Sequence, residues 1–192
     1  MKTFSDDKQT ILKTSTTQLL EVIGDDPTRD GLLETPERVA KAYAEIFAST
    51  GETEFKDYKL FPTDNDSDLV IVADIPFYAM CEHHLLPFFG TVTVGYVPNG
   101  EIIGLSKIPR LVNWAARRPS VQENLTALIS AEMQRITQPK GVAVHVNSRH
   151  MCMEMRGINQ PGTFTTTSLY KGTLKTDALL RQEFMMKVSN GK

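Results

Sequence analysis

The chain has two cysteines, Cys81 and Cys152, and each has histidine nearby. Cys81 lies in "MCEHHLLPFFG" (80–90), where Cys81 and His84 have the C-x-x-H spacing that turns two side chains onto one ion. Cys152 lies in "HMCMEMRG" (150–157), two residues after His150. On a strand that spacing points both side chains to one face. Zinc takes thiolate sulfur and imidazole nitrogen in tetrahedral geometry. Cys81, His84 and Cys152 supply three such ligands and leave a fourth position for water, the mark of a catalytic site. If residues 83–84 are extended, only one of the two rings faces the ion, and His83 is left for proton transfer. Ordinary alternatives stand beside this: His83 at the surface, His150 hydrogen-bonded in the core, or a closed structural site using both His83 and His84. Spacing alone leaves a catalytic ion, a structural ion and no metal open. A disulfide is disfavoured in a reducing compartment. His145, flanked by Val144 and Val146, reads as an ordinary histidine.

These residues need a scaffold. A chain of 192 residues with 41% hydrophobic and 23% charged residues is ordinary for a soluble protein with a substantial core. A formal charge of −2 argues against a general nucleic-acid binder. The start, "MKTFSDDKQT", has no apolar core and does not read as a secretory signal. No apolar run approaches the roughly 20 residues that span a bilayer. A cytoplasmic protein with no membrane or nucleic-acid partner is expected.

Helical periodicity marks residues 8–23, with Gly24 as a stop, and "ETPERVAKAYAEIF" (34–47), with Thr35 as the expected cap and Pro36 in the first turn. The polar stretch 56–68 reads as a loop. "LVIVADIPF" (69–77) and "GTVTVGYVP" (90–98) read as strands, and Asn99-Gly100 as a tight turn. Helices are expected from about Ser106, carrying Ile108, Leu111, Val112 and Ala115, and after Pro119, carrying Leu125, Leu128, Ile129 and Met133. Strands follow at "GVAVHVNSRHMCMEMRG" (141–157) and "TFTTTSLYKGT" (163–173), then a helical stretch near "TDALLRQEFMMKV" (176–188). A strand running through residue 156 would continue the His150 face with Glu154 and Arg156. It would bury Met151, Met153 and Met155 opposite. The order implies an α+β fold with an antiparallel sheet, two helices between strand pairs, and a helical region at 1–60 before a core at 61–192.

The sequence resembles the GTP cyclohydrolase I family through "GDDPTRDGLLETPERVAKAYAEIF", "CEHHLLPFFG", "GLSKIPRLVNWAARRPSVQENL" and "HMCMEMRG", in that order along the chain. The resemblance implies Zn2+ on Cys81, His84 and Cys152, with His83 and His150 catalytic. It implies hydrolysis of GTP at C8 with loss of formate, giving 7,8-dihydroneopterin triphosphate for pterin and tetrahydrofolate synthesis. It also implies a tunnelling fold (T-fold), in which strands of several subunits close one barrel and two rings stack into a homodecamer with active sites between subunits. Closure removes unpaired sheet edges, which is a physical reason for such assembly.

Guanine is expected on Glu123, aided by Gln122. A carboxylate accepts from N1–H and the 2-amino group together, which adenine cannot match. The competing reading is a capping box in which Glu123 reaches back to Ser120. For the triphosphate, Ser106, Lys107 and Arg110 cluster at a predicted helix start, where N–H groups favour anions. Arg156 joins them, and the resemblance adds Arg38 and Lys41 from a neighbouring subunit. Arg117 and Arg118 read as surface or interface charges. Two rival functions use the same fold: a nitrile reductase with a cysteine thiolate and NADPH, and a non-catalytic pterin- or nucleotide-binding scaffold.

Overall fold

Helical periodicity near the N-terminus yields α1 (Asp6–Val22) and α2 (Thr35–Ile46) in the computed structural model, which describes residues 4–65 and 69–189. Asp6 and Asp7 suit the positive end of the α1 dipole, and the chain turns at Gly24, whose φ is +89°. Helix α2 starts one residue before the expected position: Glu34 is the cap and Thr35 is already helical, with Pro36 tolerated in the first turn. These helices pack on each other in a unit spanning Met1–Thr50, and α1 leaves Ile11 and Leu19 exposed.

The second unit, Gly51–Lys192, carries the sheet. In chain order it comprises β1 (Leu60–Pro62), β2 (Val70–Cys81), β3 (Pro87–Val97), β4 (Glu101–Ile103), α3 (Lys107–Ala116), β5 (Pro119–Ser120) and α4 (Gln122–Thr137). It continues with β6 (Gly141–His150), α5 (Met151–Glu154), β7 (Thr165–Gly172), α6 (Thr173–Thr176) and α7 (Ala178–Ser189). The expected loop at 56–68 thus contains a short strand, and residues 66–68 lie outside the described residues. Strand β1 pairs with β4 in a small sheet of its own, entered through the turn at Gly100.

The main sheet has the order β5-β2-β3-β6-β7, antiparallel except for the parallel β5–β2 contact. Alternation puts Val92, Val94 and Tyr96 of β3 on one face with Val142, Val144 and Val146 of β6. That face packs under Ile108, Leu111 and Val112 of α3 and Leu125, Ile129 and Met133 of α4. The opposite face is covered at one end by α7, where Phe184 is fully buried with Ala143 and Leu174. The two central strands approach closely at Gly90, where a Cβ would lie 2.0 Å from the Asn147 carbonyl oxygen.

One expected strand stops early. Strand β6 ends at His150, which pairs with Phe88, and beyond it β3 has only Pro87 and the hairpin turn. With no ladder partner, residues 151–154 satisfy their backbone within a helical turn, closed by Met155 N–H donating to Met151 O at 3.0 Å. Met155 is therefore exposed rather than buried, and Met151 and Met153 are half-buried.

The loop before β1 is tied to α4 by a buried carboxylate. Glu132 accepts from Phe55 N–H (2.7 Å) and from Arg135 Nη2 (2.7 Å), and Arg135 Nη2 also donates to Phe55 O (2.8 Å). Close by, Arg118 stacks on Trp114 at 4.3 Å and donates to Glu52 O, so it packs inside the unit rather than standing as a surface charge.

Burial alone would raise the Glu132 pKa, but Arg135 and the Phe55 N–H hold it below the ordinary carboxylate value of 4.5. A depressed folded pKa means the stabilisation is complete above the unfolded value and is lost as pH falls through the folded one. Glu132→Gln is expected to cost about 2 kcal/mol near neutral pH. The gap to wild type should narrow as pH drops below 4.5, read by urea denaturation at a series of pH values.

Candidate metal and substrate site

The β2–β3 hairpin presents the first half of the cluster. Cys81 N–H donates to Leu86 O (2.9 Å) and Leu85 N–H to Cys81 O (2.8 Å), closing a turn over residues 82–86. Leu85 takes a φ of +51°, an unusual conformation for a branched side chain. Cys81 is buried at the strand end, and His83 and His84 stand exposed on the turn. Helix α5 brings up Cys152, placed by the helical turn and not by a shared strand face with His150.

The ligand atoms of Cys81, His84 and Cys152 all lie within 4.8 Å of one another. Bonds of about 2.3 Å to sulfur and about 2.0 Å to nitrogen hold the donors of a tetrahedral zinc about 3.5–3.8 Å apart, so modest closing of this triangle fits the ion. The electrostatics agree with the donor set. Burial, and then the adjacent Cys81, push the Cys152 thiol above its usual pKa, because two thiolates side by side repel. A divalent cation reverses that preference. Among the described residues His83 is not one of the three, although its Nδ1 lies 3.8 Å from Cys81 Sγ.

Sheet register places His150 opposite Phe88, and the rings stack at 5.0 Å with planes 3° apart. Its polar side is held by Gln122, whose side chain is 2% exposed. Gln122 Nε2 donates to the carbonyls of Val146 (3.2 Å) and Thr165 (3.0 Å) and to Thr167 Oγ1 (3.2 Å). Those carbonyls accept only, so the amide orientation is determined and Oε1 must face the other way. There it accepts from Ser148 Oγ (2.6 Å) and from His150 Nε2 (2.9 Å). His150 therefore carries its proton on Nε2 when neutral, which leaves Nδ1 as the atom that gains or gives a proton. Burial lowers the His150 pKa, and the charge of Glu123 partly offsets this.

Gln122, expected at the guanine, thus spends its amide inside the protein. Glu123, one residue on, is exposed in the first turn of α4. The capping box does not form: the cap is Val121 with no side-chain bond, and Ser120 Oγ donates to Val121 O (3.1 Å). The parallel pairing of Cys81 with Ser120 sets this helix start beside the Cys81 hairpin.

The expected phosphate cations have local partners. Arg156 Nη1 donates to His84 Nε2 (2.8 Å), at the rim of the cluster. Ser106 is the cap of α3, followed by Lys107 and Arg110, both of which hydrogen-bond Asp57. Arg38 and Lys41 lie on α2, paired with Glu34 and Glu37. Glu154, expected on the His150 face, is buried in a two-bond pair with Arg149 (2.8 and 2.5 Å), which staples α5 to β6. Sequence reasoning missed Ser148, Thr167, Phe88 and Asp57. Only Ser148 carried a signal, being two residues before His150 on the same strand face. His145 hydrogen-bonds Ser168 (2.8 Å).

A family model described as GTP cyclohydrolase I matches residues 12–189. GTP cyclohydrolase 1 of Latilactobacillus sakei is 58% identical over 87% of this chain and 90% of its own length. That of Lactiplantibacillus plantarum is 53% identical over 90% of this chain and 92% of its own length. That of Enterococcus faecalis is 47% identical over 95% and 98%.

Gln122→Met keeps the volume and deletes both amide functions. It is expected to cost about 2–4 kcal/mol in denaturant unfolding, through the lost bonds to Ser148, His150 and the Val146 and Thr165 carbonyls. It should also lower kcat by at least about tenfold in steady-state assays, through a mis-set His150.

Proposed function

Because the chain belongs to the GTP cyclohydrolase I family, we propose that Cys81, His84 and Cys152 hold a zinc ion at which GTP is hydrolysed to formate and 7,8-dihydroneopterin triphosphate. The observation that carries this reading is the convergence of two distant cysteines and one histidine within 4.8 Å. When bound, zinc supplies a Lewis-acid centre that makes water nucleophilic near neutral pH.

The remaining work falls to side chains. Glu123 accepts N1–H and the 2-amino group of guanine, holding the purine with its five-membered ring toward His150. His150 Nδ1 delivers a proton to N7, which makes C8 electrophilic toward water; Gln122 keeps Nε2 protonated throughout. His83, next to Cys81, serves the later proton transfers as the ring opens and a second hydrolysis expels C8 as formate. The freed amine then condenses with the rearranged ribose carbons to close the pterin ring. Ser106, Lys107, Arg110 and Arg156 receive the triphosphate, with Arg38 and Lys41 reaching in from a neighbouring subunit. The product enters tetrahydrofolate synthesis.

In this reading residues 61–192 are the catalytic core and 1–60 the helical extension, in a cytoplasmic homodecamer of stacked rings. Among the described residues no strand pairs with the outer edge of β7, and that edge and the exposed Ile11 and Leu19 support self-assembly. Among the described residues no helix is long and apolar enough to cross a membrane.

Cys152→Ala is expected to abolish zinc retention and formate release together. Metal analysis and a formate assay with GTP check this, and an active, metal-free variant refutes the reading. Release of formate also separates it from a reductase or a scaffold. Glu123→Ala should lose preference for GTP over ATP far beyond any change in unfolding midpoint. An unchanged preference would return Glu123 to a helix-start role.

A further inference from the structure

Lys107 and Arg110 do not wait as bare charges. Lys107 Nζ lies 2.5 Å from Asp57 Oδ1 and Arg110 Nη1 lies 2.7 Å from Asp57 Oδ2, so one carboxylate spans both cations with one oxygen each. Two oxygens on one anionic centre are what a phosphoryl group offers. We propose that Asp57 is a resident counter-anion of the polyphosphate subsite, competing with the incoming triphosphate for Lys107 and Arg110. The proposal rests on reading those two residues as phosphate ligands.

Three features give the carboxylate this role rather than that of a structural ion pair. Its side chain is 53% exposed, and exposed pairs contribute little to folding. Its backbone cannot drift away, because Phe55 is tied to Glu132 and Arg135 on one side and Lys59 O accepts from Gly104 N–H (3.0 Å) on the other. Its side chain nevertheless has somewhere to go. Residues 51–57 and Trp114 line a cleft of about 580 Å³, into which Asp57 can rotate when a more highly charged anion arrives. The lysine and the guanidinium depress the Asp57 pKa, so the group is ionised at neutral pH and competes in full. Asp57 thus keeps two long cationic side chains ordered and sets a threshold that a weak anion does not pass.

The test is calorimetric titration of sodium tripolyphosphate into the assembled protein at fixed ionic strength of about 0.1 M, where the Debye length is about 10 Å. Asp57→Asn should tighten binding by about 3- to 10-fold and lower KM for GTP, since two charge pairs, one with exposed Arg110 and one with half-buried Lys107, are removed from competition. Arg110→Ala and Lys107→Ala should weaken it, and Asp57→Asn should have no effect in the double Lys107→Ala, Arg110→Ala background. Glu54→Gln is the control, because Glu54 lines the same cleft without bonding either cation. If Asp57→Asn leaves binding unchanged or weakens it while Arg110→Ala weakens it, the competition idea is wrong and the phosphate reading survives. Equal tightening by Glu54→Gln would also overturn it, reducing the effect to general field. If neither Arg110→Ala nor Lys107→Ala changes the affinity, the phosphate reading fails and takes Asp57 with it.

Discussion

The antiparallel register of β2, β3 and β6 governs where every reactive group sits. Pairing Met80 with Pro87 forces the chain to turn at residues 82–86, which is where His83 and His84 stand. Pairing Phe88 with His150 sets that imidazole at the very end of its ladder. A proline at the ladder's end has no N–H to donate, so β6 must leave the sheet there, and it leaves as the helical turn that carries Cys152. A shift of one residue would send His150 to the opposite face and leave Cys81 without its partner.

Polar satisfaction does the rest of the positioning. A glutamine amide buried among strands must find acceptors for its N–H groups and donors for its oxygen, or cost several kcal/mol. Gln122 finds them on β6 and β7 on one side and on Ser148 and His150 on the other. Because the demand is met in only one orientation, the proton position on His150 follows from hydrogen bonding within the protein itself. The paired cysteines work the other way: burial, and then repulsion between neighbouring thiolates, resists ionisation of Cys152, and a cation relieves both.

The cationic side chains show a third use of the same principle. Lys107 and Arg110 lie on Asp57, Arg156 on His84, Arg38 on Glu34 and Lys41 on Glu37. Long flexible cations lose rotamer entropy when they bind an anion, and local partners remove part of that loss beforehand. The carboxylates among those partners then oppose the anion. In the proposed subsite, the hold on a polyphosphate depends on this balance as well as on the count of positive charges.

Local pattern was enough for most elements, because periodicity and turn residues act within a few positions. The 3.6-residue spacing of Ile108, Leu111, Val112 and Ala115, the alternation of Val92, Val94 and Tyr96, and the glycine at 100 each express a constraint internal to their own segment. The C-x-x-H turn was legible for the same reason. The end of β6 was not, since Met151–Arg156 alternates well enough for a strand and only the lack of a partner beyond Pro87 converts it to a helical turn. Nor was the orientation of Gln122, the stacking of Phe88 on His150, or the seat of Asp57 between two cations 50 and 53 residues away. Residue types and short spacings singled out Cys81, His84 and Cys152 as candidate ligands while leaving a catalytic ion, a structural ion and no metal all open. Which atoms face each other was decided only in three dimensions, because hydrogen-bond partners and ladder ends are properties of segments distant along the chain.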